Sequence, residues 1–184
     1  KSWEFAGRIG QIAQEYNVKV LCVRRFQNKI KDSVYTLIKN QIDNFKFGGY
    51  NVLATSIENA TGSEFIFYGM ERNLDEIRST EGVDILWIEE AHSLTHEQWK
   101  VLEPTIRSDN SEVWISFNPR LMSDFVWQYF IVNPPEETIS RQINYDENPF
   151  LSDVMKNIIR QCKVRDYDTY LHIYKGVPLS DDDK

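Results

Sequence analysis

Val83-Asp84-Ile85-Leu86-Trp87-Ile88-Glu89-Glu90-Ala91-His92 is the stretch on which the reading of the whole chain turns. A nearly continuous apolar run from Val83 to Ile88 leads straight into two adjacent carboxylates. Such a run reads as a strand buried on both faces, as in a parallel sheet. Carboxylates are costly to bury unpaired, so Glu89 and Glu90 belong where that strand emerges. In open α/β sheets ligands bind at this carboxyl edge. Two readings stand on these residues alone: a site for chemistry, and a core strand that ends in a solvated charge pair.

At 184 residues the chain fits one domain, long enough to bury roughly 70% of its unfolded surface. With 41% hydrophobic and 27% charged residues it has the composition of a soluble globular protein. No apolar run approaches the ~20 residues that span a bilayer, so no membrane role is expected, and no secretory segment opens the chain. Cys22 and Cys162 stand alone in apolar patterns and read as reduced core residues of a cytosolic protein. The Asn59-Ala60-Thr61 sequon reads as turn chemistry. A net charge of −7 argues against a surface dedicated to coating nucleic acid, though not against a local basic patch or a motor that grips DNA only within an assembly.

Taken in order, Trp3, Ala6, Ile9, Ile12, Ala13 and Tyr16 are spaced for a helix that starts at the first residues of the chain, an unusual place for a domain to begin. Val18–Val23 reads as a buried strand, with Arg24 and Arg25 at its exit. Ile30, Val34, Leu37, Ile38, Ile42 and Phe45 define a helix from near Gln27 to Gly48-Gly49. Asn51–Glu58 and Glu64–Met70 read as the two strands of a hairpin. After the acidic strand, Thr95 and Gln98 form a capping box. Pro104 shortens the helix they open, and Glu112–Phe117 is a further strand. Thr138–Tyr145 alternates as a strand, and Ser152 caps the first of two closing helices. Strands alternating with helices predict an α/β fold with a mainly parallel sheet and an inserted β-hairpin. The expected domain covers residues 1–180, with 181–184 a frayed charged tail.

A phosphate cradle reads G-x-x-x-x-G-K-[ST], its lysine and hydroxyl opening a helix after a strand. Lys1-Ser2 opens a helix here, and an acidic strand follows. That is half of such a cradle, or an arbitrary terminus. Two adjacent acids at a strand tip have the form of a Walker B segment, one for Mg²⁺ and the next for water. Successive strand residues point to opposite faces, so the two acids take separate roles only if the strand ends in a turn. His92 and His96 are four apart, but the cap at Thr95 lies between them and breaks the shared helical face of a metal pair. Trp127, Tyr129 and Phe130 read as core rather than as a base-stacking platform.

Several segments together resemble the N-terminal ATPase domain of phage terminase large subunits, nearest to the branch that includes PBSX-type prophage terminases. They are Lys1-Ser2-Trp3, Cys22–Asn28 with Asp32-Ser33-Val34, Glu64–Gly69, Ile88-Glu89-Glu90-Ala91, Pro104–Arg107, Trp114–Pro119, Val132–Pro135 and Asn144–Pro149. The resemblance implies an additional-strand, catalytic-glutamate P-loop NTPase that uses ATP and Mg²⁺ to drive double-stranded viral DNA into a procapsid. Its implied partners are the portal protein, the terminase small subunit and further copies of itself in a ring, in the bacterial host cytoplasm. By position, Lys1 and Ser2 would bind nucleotide, with Ser2 and Glu89 on the Mg²⁺ side, and Glu90 would polarise water. Family members more often have Asp where Glu89 stands, which lengthens the reach by one methylene. Ser116 and Asn118 fall at the coupling motif. Arg78, eleven residues before Glu89, falls where a trans-acting finger is expected. Arg24 would brace the phosphate loop or the acidic strand, with Gln27 beside it in the nucleotide set.

The resemblance also implies a first strand and glycine loop ahead of Lys1 and a nuclease domain beyond the chain. Loop N–H groups do most of the phosphate binding, so these 184 residues by themselves are expected to bind ATP weakly and turn over little. Two other readings remain: a superfamily 2 helicase-type lobe, because Glu89-Glu90-Ala91-His92 is one substitution from D-E-A-H, and a non-catalytic interaction fragment.

Overall fold

The computed structural model describes residues 1–183. The chain forms two compact units, one from Lys1 to Phe117 and the other from Asn118 to Lys184.

The first unit is built on a six-stranded sheet. In chain order it contains α1 (Ser2–Glu15), β1 (Lys19–Arg24), α2 (Gln27–Ile30), α3 (Thr36–Phe45), β2 (Tyr50–Val52), β3 (Ile57–Asn59) and β4 (Glu64–Gly69). Then follow α4 (Leu74–Arg78), β5 (Ile85–Glu89), α5 (His96–Leu102) and β6 (Glu112–Ser116). The sheet order is β2-β3-β4-β1-β5-β6. Strands β4, β1, β5 and β6 run parallel, and β2 and β3 are antiparallel to their neighbours. Continuous apolar runs make β1 and β5 the centre, because only strands covered on both faces bury every residue. Val20 and Cys22 with Ile85 and Trp87 pack against Ala6, Ile9 and Ala13 of α1 and Ile38 and Ile42 of α3. The alternate residues Leu21, Val23, Leu86 and Ile88 are fully buried as well. Phe5 meets Trp87 and Trp114 edge-on, with centroids 6.1 and 5.1 Å apart. That packing sets the first turn of α1 over β5 and β6.

Three local expectations are corrected. Asn51–Glu58 is not one strand. It reverses at Leu53–Ser56, where Leu53 N–H donates to Ser56 C=O at 3.0 Å, and so supplies both β2 and β3. The expected hairpin is the β3–β4 pair, its link tied by Thr61 N–H to Asn59 Oδ1 at 3.0 Å and by Ser63 Oγ to Tyr16 C=O at 2.6 Å. The second helix ends at Lys46 in the left-handed region, φ 55°, ahead of the glycines. Between α2 and α3 its backbone widens into a π-helix, Lys31–Tyr35. The T-x-x-Q box at Thr95 forms with both reciprocal bonds, 3.1 and 3.2 Å.

In the second unit α6 (Phe125–Trp127) runs into a π-turn, and α7 (Asp153–Arg165) and α8 (Tyr167–Lys175) follow. Thr138–Tyr145 is not a strand. Its apolar residues find no sheet edge, Ile139 is 97% exposed, and Tyr145 begins a 3-10 turn closed by the Asn144–Glu147 capping box. Tyr129 and Phe130 pack on Phe125 and on each other while half-buried, not as a core. Cys162 is also half-buried, and of the expected apolar face of α7 only Ile159 is buried. Asp181 is engaged by Ser123 Oγ at 2.5 Å rather than frayed; Lys184, the end of the expected tail, lies outside the described residues.

Candidate functional site

The carboxyl ends of β1, β5 and β6 lie side by side, with Glu89 in register with Ser116. The start of α1 meets them there. Ser2 Oγ donates to Glu89 Oε1 at 2.8 Å, and Ser116 Oγ donates to the other oxygen, Oε2. Ser116 is itself held by the indole N–H of buried Trp87 at 3.3 Å. Lys1 Nζ donates to the Phe117 carbonyl at the end of β6. Segments distant in sequence therefore converge on one carboxylate.

Glu90 turns away from this group. Its backbone is left-handed, φ 51° and ψ 47°, between β5 and the 3-10 turn Ala91–Ser93. A side chain with a Cβ adopts this region at a cost of order 1–3 kcal/mol, and such outliers gather at functional sites. The turn satisfies the condition that pleat geometry sets for two adjacent acids: Glu89 and Glu90 have separate environments. Glu90 is ion-paired with the Arg24 guanidinium, which also donates to the Lys29 carbonyl at 3.2 Å. Arg24 thereby links the end of β1, the tip of β5 and the end of α2.

Although Lys1 is exposed as a residue, its ammonium lies against the sheet edge. Burial lowers its pKa from the usual 10.5, and the nearby charge of Glu89 partly opposes that shift. A lowered amine pKa means that the unfolded chain binds more protons between the two values. The stability contribution of this group therefore grows as pH rises through that window towards 10.5. A ¹³Cε NMR titration should show Lys1 below 10.5, and lower still in Glu89→Gln, which removes the opposing charge. A rise in Glu89→Gln would contradict the account. Burial, and secondarily Glu89, pushes the Cys22 thiol far up, so Cys22 is an inert core residue and not a thiolate nucleophile.

Not every predicted residue joins this cluster. Both ends of the Gln27 amide are occupied: Nε2 donates to Phe67 C=O at 3.2 Å, and Oε1 accepts from Gly69 N–H and from Asn73 Nδ2. Gln27 thereby ties down the end of β4. Arg78 is an exposed residue of α4, 3.7 Å from Asp75. Asn118 opens the second unit. Trp87 is not among the predicted residues; its signal is an indole N–H inside a core strand, a donor that must find a partner.

The oxygens around Glu89 fit Mg²⁺ in kind. This ion takes oxygen ligands and is held by one or two carboxylates together with water and substrate phosphates. Among the described residues no three His, Cys, Asp or Glu side chains form a cage, which an ion shared with a phosphate does not require.

A mostly parallel sheet flanked by helices, with an acid at its carboxyl edge facing the first turn of a helix, defines a P-loop NTPase-like fold. The family profile for the phage terminase large subunit matches residues 1–177, and the chain belongs to that family. This decides against the helicase-type lobe. No curated protein matches the chain. Among solved structures it is similar to the large terminase of a thermophilic bacteriophage, with 15% identity over 94% of this chain and a TM-score of 0.78. The ADP complex of the same terminase matches at 14% identity over 94% of this chain, TM-score 0.76. The Thermus phage P74-26 large terminase ATPase domain matches at 13% identity over 95% of this chain and 82% of that domain, TM-score 0.58. The chain spans 44% of the thermophilic-phage terminase. At these identities the likeness establishes the fold.

Proposed function

We propose that the chain is the ATPase motor region of a DNA-packaging terminase, coupling ATP hydrolysis to movement of double-stranded DNA into a procapsid. The observation that carries this reading is the divergence of the two acids, Glu89 among Ser2, Ser116 and nearby Lys1, and Glu90 turned onto Arg24. Lys1 and the N–H groups of the first turn of α1 face the phosphates, because a helix start leaves these donors without intrahelical partners. Ser2 and Glu89 are the residues that would hold Mg²⁺, which would neutralise charge on the phosphate oxygens. Glu90 accepts the proton of the attacking water, and Arg24 positions it. Ser116 touches the same carboxylate as Ser2 and so reports the state of the phosphate side to β6; Asn118, two residues on, is the further member of this coupling segment.

The ADP and ATP-γ-S complexes of the thermophilic-phage terminase support nucleotide as the ligand. Arg78, exposed and loosely paired, is available to act on a nucleotide held by a second copy in a ring. Portal protein and terminase small subunit are the further partners, and the bacterial cytoplasm is the site of action. Among the described residues no helix is long and apolar enough to cross a membrane.

The test is Mg-ADP binding by the whole subunit carrying these residues. Lys1→Ala should weaken it about tenfold or more, since a hydrogen bond to a charged group contributes ~1.5–3 kcal/mol. Unchanged affinity in both Lys1→Ala and Ser2→Ala would sink the reading.

A further inference from the structure

The chain carries a net charge of −7, yet three cations from three segments border one depression. Arg78 comes from α4, Lys100 from α5, and Arg107 from the irregular stretch after the 3-10 turn Glu103–Thr105. Val101, Pro104 and Thr105 complete the lining, and no carboxylate is among these residues. At about 350 Å³ the depression has the size of a small-ligand pocket.

Its base is fixed. Thr105 is buried and donates its hydroxyl to Leu102 C=O at 2.7 Å, while Ile106 N–H closes the turn onto Glu103 C=O at 3.1 Å. Its rim is available. Among the described residues the Arg107 side chain makes no hydrogen bond or ion pair. Arg78 meets only Asp75, at 3.7 Å, and Lys100 meets only Glu97, at 3.0 Å. All four members of those pairs are more than half exposed. Exposed pairs within one helix hold weakly and give way to a stronger anion.

We propose that Arg78, Lys100 and Arg107 form a second phosphate-binding site, built from other elements than Lys1, Ser2 and Glu89. Two guanidinium forks and one ammonium suit an anion with several oxygens: each fork bridges two oxygens and the ammonium adds a point charge. The ligand class is a run of phosphoryl groups. Such a run is offered by the triphosphate of a nucleotide on a second copy, or by the phosphodiester backbone of a duplex. Arg78 is shared with the proposed function above, but Lys100 and Arg107 are not, and failure here would leave the Lys1–Glu90 reading standing.

The probe is inorganic tripolyphosphate, titrated into the 184-residue chain at low salt and followed by ¹⁵N NMR at the arginine Nε–H groups. Arg78 and Arg107 should shift saturably. Arg107→Ala and Lys100→Ala should each weaken binding at these resonances about tenfold, whereas Lys39→Ala, an exposed lysine of α3 outside both sites, should leave it within about twofold. Both substitutions are at exposed positions, and an otherwise unchanged spectrum verifies that the fold is kept. A short duplex that displaces tripolyphosphate from the same residues identifies the phosphodiester backbone as the source. A duplex that does not displace it identifies the nucleotide. Shifts scattered over the surface lysines, binding as tight in both depression variants as in the parent chain, or loss of binding in Lys39→Ala would each overturn the assignment.

Discussion

Glu90→Gln should reduce ATP hydrolysis by the whole subunit about 10²–10⁴-fold, the range that a positioned general base contributes, while leaving Mg-ADP affinity within about twofold. The substitution preserves shape and removes only the ability to take a proton. Glu90 is half exposed and already in the left-handed region, so the amide inherits the same backbone at little added cost. Its carbonyl oxygen can still accept from Arg24, so the link between β1 and β5 survives. Glu89→Gln is the informative contrast. Glu89 is bonded to Ser2 and Ser116, so its loss should appear in the Mg²⁺ dependence of binding as well as in rate. Steady-state hydrolysis and ADP titration of the two variants separate the roles. Hydrolysis in Glu90→Gln within tenfold of the parent would remove Glu90 from the chemistry.

The part of this site that a linear reading captures is the part that leaves a pattern. β5 is legible because a strand covered on both faces must be apolar throughout, and its acids are legible because charge ends such a run. The need for a turn between Glu89 and Glu90 follows from the pleat, but no residue type announces it: a glutamate at φ 51° carries no signature. The Ser2–Glu89 bond joins residues 87 apart, and the packing of α1 on the sheet, with Phe5 on Trp87 and Trp114, brings them together. Gln27 enters the nucleotide set only through the resemblance, as the neighbour of Arg24. The partners that occupy it, Phe67 C=O and Gly69 N–H, become its neighbours only once β4 lies beside β1. Errors in the fold have the same origin. Asn51–Glu58 and Thr138–Tyr145 both have strand-like composition. One folds back on itself and the other lies exposed, because pairing is decided by which edge is within reach.

Gly69→Ala should be the most damaging small substitution in the first unit. Gly69 needs no positive φ; what it needs is the absence of a side chain. A Cβ there would stand 2.2 Å from Gln27 N, 2.5 Å from Gln27 Cα and 2.8 Å from the Phe26 carbonyl carbon. All three are backbone atoms, which cannot rotate aside as a flexible side chain would. Overpacking costs ~1–3 kcal/mol where side chains can yield, so about 3 kcal/mol is expected here. In a chain of this size each kcal/mol corresponds to ~2–4 °C, and the melting temperature should therefore fall by about 6–12 °C. Gly48→Ala is the control: nothing lies within 4 Å of its Cβ, and its effect should stay within ~0.5 kcal/mol, as for other unobstructed surface changes. The damage should also reach the site. Gly69 is in register with Arg24, and Met70 N–H donates to Arg24 C=O at 2.8 Å. Pushing β4 away from Phe26 and Gln27 therefore moves the residue that holds Glu90. At a temperature where Gly69→Ala is still folded, hydrolysis by the whole subunit carrying it should be slower than by the subunit carrying Gly48→Ala. Equal rates would show that the position of Arg24 is set by Glu90 alone and not by the strand beneath it.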